Sequence, residues 1–177
     1  VKHMSDAARS ADFTFGFGGN FEWKGFDLRL YFQGTSGNKI YNGLRQDLEG
    51  MDPEDNYASS TLNAWTPTNT NTSMPRAVIN DPNRNDQTSS RFLEDGSYLR
   101  FKTLQLGYSF SEPILKKIGL TNLRFYVSAD NLFNITKYKG FNPDIGSNGS
   151  ILSRGVDFGP LAYPSSSTFL TGVQLTF

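Results

Sequence analysis

The sequence predicts an all-β fold, an antiparallel transmembrane β-barrel segment of about five strands with two long loops at one end. Three observations predict it. Apolar and polar residues alternate along five stretches, short and long connections alternate between them, and aromatic residues lie at both ends of four of the stretches on the apolar phase.

The first stretch, residues 12–23, places Phe13, Phe15, Phe17, Phe21 and Trp23 on one phase and Thr14, Gly16, Gly18, Asn20 and Glu22 on the other. Successive residues of a strand point to opposite faces, so this is a strand with one oily and one polar side. Lys24-Gly25 forms a two-residue hairpin turn, where glycine takes a positive φ at little cost. The second strand, 26–35, resumes the pattern with Phe26, Leu28, Leu30 and Phe32 against Asp27, Arg29, Tyr31 and Gln33. Glu22, Lys24, Asp27 and Arg29 are expected to line the interior and touch whatever fills it. Gly16 and Gly18 lie on that polar phase and, with Gly19, are expected to let another backbone approach the wall.

The third strand, 97–110, breaks the period. Leu104, Leu106, Tyr108 and Phe110 share a phase with Arg100 and Lys102, while Leu99 and Phe101 lie on the other. Either a bulge near Lys102 switches the phase, or the upper part stands clear of the membrane. Strand four, 122–133, has Phe125, Val127 and Phe133 on one phase and Ser128 on the other. Strand five, 167–177, carries Phe169, Thr171, Val173, Leu175 and Phe177 on one phase.

Connections 24–25 and 111–121 are short. Connections 36–96 and 134–166 are long and rich in Asn, Asp, Ser, Thr, Gly and Pro. Loops of this length are unusual in compact domains, and their alternation with short turns puts both at one end of the sheet, as in outer-membrane barrels. Trp23, Phe26, Phe110, Phe125 and Phe177 lie at the short-turn ends, and Phe13, Phe32, Phe133 and Phe169 at the other. Two such rings bracketing an apolar band form the interfacial girdle of a membrane barrel. A soluble β-sandwich with aromatic rims is the alternative from pattern alone.

Lysine plus arginine equal aspartate plus glutamate at 17 each, which gives no electrostatic footprint for nucleic acid. There is no cysteine, and the single histidine, His3, lies in residues 1–11, read as an uncertain leader or cloning remnant. Ser-His and Cys-His nucleophile systems therefore have no base, so no catalytic residue, cofactor or metal is assigned. Glu94-Asp95 before Gly96 is read as a structural turn. "DPNRND" (81–86) has oxygen-bearing residues at alternating positions, but Asp86 stands where a calcium loop needs glycine and Phe92 where it needs glutamate. "DPED" (52–55) is acidic without a defined ligand set. For ligand contact the loops offer Tyr57, Trp65, Tyr138, Phe141 and Tyr163, rings with an apolar body and, in most, a polar handle. Trp65 lies in "NAWTPTNTNTS", among amides and hydroxyls that could bind a polar ligand; packing within its own loop is the simpler reading.

The terminal stretch resembles the assembly signal of outer-membrane proteins, with Gly172, Leu175 and Phe177 in the pattern and Leu170 where a polar residue is usual. On a larger scale, "DFTFGFGGNFEWKGFDLRLYFQGTSGNKIYN" (12–42), "SSRFLEDGSYLRFKTLQLGYSF" (89–110), "LRFYVSADNLFNITKYKGFNPDI" (123–145) and "LSRGVDFGPLAYPSSSTFLTGVQLTF" (152–177) resemble the C-terminal end of SusC/RagA-like TonB-dependent outer-membrane transporters. The resemblance implies that residues 12–177 are a piece of a larger plugged barrel of about 22 strands, in the outer membrane of a Gram-negative bacterium, with both long loops extracellular. It further implies import of oligosaccharides or peptides, a SusD-like surface lipoprotein as partner, and energy from the TonB system through a plug domain. The alternatives are a soluble carbohydrate-binding β-sandwich and an outer-membrane pore or secretion barrel without TonB coupling.

Overall fold

The computed structural model describes residues 10–51, 56–117, 119–145, 155–158 and 164–177. The chain forms two compact units, one built on 13–36, 98–136 and 165–177, the other on 37–97 and 137–164.

The first unit is a five-stranded antiparallel sheet of β1 (Phe13–Trp23), β2 (Phe26–Ser36), β5 (Tyr98–Ser109), β6 (Asn122–Thr136) and β8 (Thr168–Thr176), in the order β1-β2-β5-β6-β8. All five expected strands are present, each neighbouring the next in sequence. Lys24 (φ 49°) and Gly25 (φ 88°) make the tight turn, with Trp23 opposite Phe26. Two positive φ angles in succession match the right-handed twist of the flanking strands. The 111–121 connection contains a short helix, α2 (Glu112–Lys117), and Thr35, Tyr98 and Thr136 share a rung at the opposite, long-loop end.

Cross-strand register sorts the side chains as the two-residue period requires. Phe21, Leu28, Leu106, Val127 and Thr171 form one rung of the apolar face; Asn20, Arg29, Gln105, Ser128 and Leu170 form the adjoining rung on the other face. The phase conflict in β5 is a bulge. Tyr31 pairs with Thr103 and Phe32 with Phe101, so Lys102 is an extra residue relative to β2. Across β6 the same interval holds both Asn131 and Leu132, and Asn131 has φ 53°. The irregularity turns Phe101 onto the apolar face, where Phe17, Phe32, Phe101 and Phe133 form a row with ring centroids 5.1, 4.4 and 5.6 Å apart.

Phe13 and Phe169, expected in one ring with Phe32 and Phe133, lie off this row in opposite senses. Phe169 shares the rung of Gly19, six positions along β1 from Phe13, with four strand spacings between them. Six residues at ~3.3 Å span about 20 Å, and four spacings at ~4.8 Å span about 19 Å. A line joining the two rings therefore slants about 45° to the rungs, the tilt expected of barrel strands crossing a membrane. Phe32 and Phe133 fall between the two ends of that line. Among the described residues no helix is long and apolar enough to cross a membrane, which says nothing about crossing by strands.

The second unit was not foreseen as ordered structure. Segments expected to be loops contain a small sheet, β4-β3-β7, of β3 (Lys39–Asn42), β4 (Leu93–Asp95) and β7 (Val156–Asp157), together with the helix α1 (Gly43–Glu49). Strand β3 pairs antiparallel with β4 and parallel with β7. Tyr41, Phe92 and Val156 make its apolar core, and the Asn42 side chain caps α1 by accepting from the Arg45 amide (2.9 Å).

Candidate functional site

The polar face of the five-stranded sheet is the first candidate surface. Asp27 of β2 is joined to Arg124 of β6 across the whole width of β5. Nε donates to Oδ1 at 2.9 Å and Nη2 to Oδ2 at 2.5 Å, a two-point, charge-assisted contact. It can form because Gly107 occupies the intervening position of β5, where a Cβ would overlap both side chains. Glu22 lies directly opposite Asp27, and Arg29 is exposed two rungs further along, on the same face. At the short-turn end a hollow of ≈ 670 Å³ is lined by Glu22, Lys24, Asp27, Ser109, Arg124 and Gln174, among others. Three of the four charged residues expected to line the interior, Glu22, Lys24 and Asp27, thus border one concavity. Arg124 was not singled out from the sequence, although it lies on the polar phase of β6 and the period alone would have found it.

Gly16 and Gly18 are exposed on the polar face. The Tyr31 ring lies over both, so a Cβ at Gly16 would come within 2.6 Å of its hydroxyl. Gly19 is on the apolar face, beside the Phe21 ring. The cross-strand Tyr31 side chain thus occupies part of the room that Gly16 and Gly18 leave.

Toward the long-loop end the polar face is densely bonded. Arg100 is buried, and its Nε donates to Asn134 Oδ1 (2.7 Å). Thr103 donates to Asp130 (2.9 Å), and the Lys102 ammonium donates to Asn131 (3.1 Å).

The second candidate surface is the loop-derived unit. Its interior is polar as well as apolar. Glu49, 6% exposed, accepts from Arg45 (2.7 Å) and the Ser60 hydroxyl (2.8 Å), with Arg91 at 3.5 Å. Arg45 also donates to Glu94 and to the Arg91 carbonyl, both at 3.1 Å, and Glu94 accepts from the Lys139 amide (2.9 Å). Burial lowers the pKa of Arg91, against the opposing pull of Glu49. Glu94 is therefore a structural tie between the two long segments. Asp95 accepts from the Ser97 hydroxyl and amide, which hold its carboxyl below the usual range. The structural reading of Glu94-Asp95 is what the bonding displays.

Of the rings proposed for ligand contact, Tyr57 and Phe141 are exposed and Trp65 is half-buried. Tyr138 is buried, its hydroxyl donated to Asp157, and burial with that bond raises its pKa well above the ordinary phenol value. It is an interior group. Tyr163 and the acidic stretch 52–55 lie outside the described residues. The amides and hydroxyls flanking Trp65 bond one another. Asn69 Nδ2 donates to Asn63 Oδ1 (3.0 Å) and Thr72 donates to the Asn63 carbonyl (2.7 Å), while Trp65 N meets the Met74 carbonyl at 3.2 Å. In 81–86 the Asp81 carboxylate accepts from the Asn85 amide, the Asn85 side chain and the Asp86 amide. Its oxygens serve the turn, and no cluster suited to a metal occurs among the described residues.

At the chain's end, Gly172 lies opposite Tyr126 and Leu175 opposite Leu123, while Phe177 follows the last strand and is almost fully exposed.

No profile of a known protein family matches the chain. Against individual proteins, it is 37% identical over 171 residues to a TonB-dependent receptor of Formosa agariphila, a match covering 94% of this chain and 16% of the relative. It is 27% identical over 172 residues to the TonB-dependent receptor SusC of Bacteroides thetaiotaomicron, covering 95% of this chain and 15% of SusC. Among solved structures it resembles the RagAB peptide importer in its "closed-closed" state, with TM-score 0.78, 29% identity and coverage of 100% of this chain and 18% of the other. The "open-open" state of RagAB gives TM-score 0.76 at 32% identity over 93% of this chain and 17% of the other. The chain thus spans about a sixth of the length of these relatives.

Proposed function

This chain belongs to the SusC/RagA-like TonB-dependent receptors, and from that membership we propose that it forms part of the wall of an outer-membrane transporter importing oligosaccharides or peptides. The observation that carries the reading is the match to the RagAB peptide importer along the whole chain, two-faced sheet and loop-derived unit together. The offset of Phe169 from Phe13, about 45° across the rungs, is in keeping with the tilt of strands in a membrane-crossing wall.

In this reading the face bearing Phe15, Leu28, Leu30, Val127 and Val173 meets lipid, and the face bearing Thr14, Arg29, Ser128 and Gln174 meets the interior. Glu22, Asp27 and Arg29 contact a plug domain lying outside this chain, through which the TonB system supplies energy. The loop-derived unit faces the cell exterior and contacts a SusD-like lipoprotein, with Trp65, Tyr57 and Phe141 as its accessible rings. Tyr138 supports that surface from within. Gly172, Leu175 and Phe177 act in assembly. No residue is assigned a catalytic role, and the wall needs no cofactor.

The test removes residues 60–75 from the full-length receptor. Within this excursion Trp65 N is bonded to the Met74 carbonyl, and Ser60 at its start donates to Glu49. Co-purification of the lipoprotein, or uptake of its ligand, is expected to fall. Wild-type levels of both would mean that the excursion is passive.

A further inference from the structure

One rung of the polar face crosses all five strands as Glu22, Asp27, Gly107, Tyr126 and Gly172. From Asp27 onward, large residues and glycines alternate along it. The Asp27–Arg124 contact passes over Gly107, the Arg124 guanidinium carbon lies 5.1 Å from the centre of the Tyr126 ring, and that ring lies over Gly172. Each large group rests where the next strand has no side chain. A Cβ at Gly107 would overlap Asp27 and Arg124, and a Cβ at Gly172 would overlap the far edge of the Tyr126 ring. The guanidinium held by Asp27 lies against the same ring.

We propose that this rung is an interlock that sets the register of the last strand on β6, and that Gly172 acts in assembly by receiving Tyr126. The same glycine had a place in a terminal pattern read as a recognition signal; the geometry gives it a partner within the wall. Register matters there because a one-residue slip of β8 would turn Val173 and Leu175 to the interior and Gln174 to lipid. In this sheet β8 pairs with β6, and the Tyr126–Gly172 contact adds a side-chain fit to that backbone pairing. Arg124 and Tyr126 are positioning residues in this scheme, and Gly107 is the gap that lets them be held from β2.

The inference rests on the barrel-wall reading, and its test separates the two. In the full-length receptor, Gly172→Ala is compared with Tyr126→Ser and with the double substitution, scoring folded barrel by heat-modifiable migration. Gly172→Ala is expected to lower the folded amount roughly fivefold or more, since overpacking a fitted site is costly. Adding Tyr126→Ser is expected to bring the double variant back to the level of Tyr126→Ser alone, the non-additivity of residues in contact. A Ser128→Cys/Leu170→Cys pair, directly opposite in the observed register, reports alignment by disulfide formation and is expected to lose its cross-link with Gly172→Ala and recover it in the double variant. A double variant no better than Gly172→Ala, or a Gly172→Ala variant that folds and cross-links normally, overturns the interlock. If the wild-type receptor itself shows no heat-modifiable barrel, the wall reading fails instead.

Discussion

Replacing Leu30 by lysine sets the two faces of the sheet against each other. Leu30 lies four residues from Phe26 on the apolar face of β2, opposite Gly19. Four residues cover about 13 Å along the strand, or about 9 Å along the membrane normal at a tilt near 45°. If Phe26 marks the edge of an apolar band ~25 Å tall, Leu30 sits about 3 Å from its midplane. Lysine there is expected to cost about 2–3 kcal/mol, toward the lower part of the midplane range. That cost shifts the folding equilibrium by roughly 30- to 140-fold. Ser128→Lys, on the polar face of β6, is expected to cost under about 0.5 kcal/mol, the ordinary scale for a solvated site. Both variants of the full-length receptor are refolded into lipid vesicles across a urea series, and the folded fraction is read by heat-modifiable migration. Equal losses would refute the assignment of faces, and a larger loss for Ser128→Lys would invert it.

Cysteine scanning adds a second view of the same assignment: a lipid-soluble thiol label is expected to react at Leu28→Cys and Val173→Cys and to spare Arg29→Cys and Gln174→Cys. Removal of Phe177 is expected to leave synthesis intact and lower folded receptor in the outer membrane; full yield would count against a terminal assembly signal. Tyr138→Phe takes a buried hydroxyl from Asp157 and is expected to destabilise the loop-derived unit by about 1–3 kcal/mol, seen as faster proteolysis there. The pH dependence has a definite sign. Because the folded pKa of Tyr138 lies above its unfolded value near 10, its contribution is fully present below about pH 10 and is lost as pH rises toward the folded value. Protease sensitivity of the wild-type loop unit should therefore rise on that alkaline side, and an unchanged cleavage rate up to pH 11 would contradict it. Calcium or a chelator is expected to leave cleavage after Arg84 unchanged, since the Asp81 oxygens already accept three hydrogen bonds from their own turn.

The membrane-facing sheet was legible in the sequence because its rules are local. A period of two, a turn at Lys24-Gly25 and aromatics at strand ends need no knowledge of distant partners. Strand β5 was ambiguous because a single extra residue, Lys102, alters the phase, and periodicity cannot distinguish a bulge from a strand that leaves its environment. The loop-derived unit was illegible for two physical reasons. Its strands are short, and Tyr41 pairs with Leu93 on one side and Val156 on the other, separations that no window of sequence spans. Its interior also contains Asn42, Glu49 and Asp157, residue types that read as solvated loop until their partners are seen. The same concealment affected the candidate ligand contacts. Tyr138 looked like an exposed aromatic because nothing local marks it as the partner of Asp157. The amides around Trp65 looked available because side chains that satisfy one another have the same composition as side chains that await a ligand.

The irregularity at Lys102 bears on how such a wall can change over evolution. Between matched rungs, β2 advances one residue, from Tyr31 to Phe32, while β5 takes two and β6 takes three. The added length is absorbed at one level, and the pairing on the short-turn side, from Thr103 and Asp130 onward, proceeds without interruption. Insertions and deletions confined to this level can therefore raise or lower the rim strand by strand while the rows beneath keep their faces. Aligned relatives are expected to vary in length here before they vary within the band below, so a gap placed at this level would be a genuine record of rim remodelling.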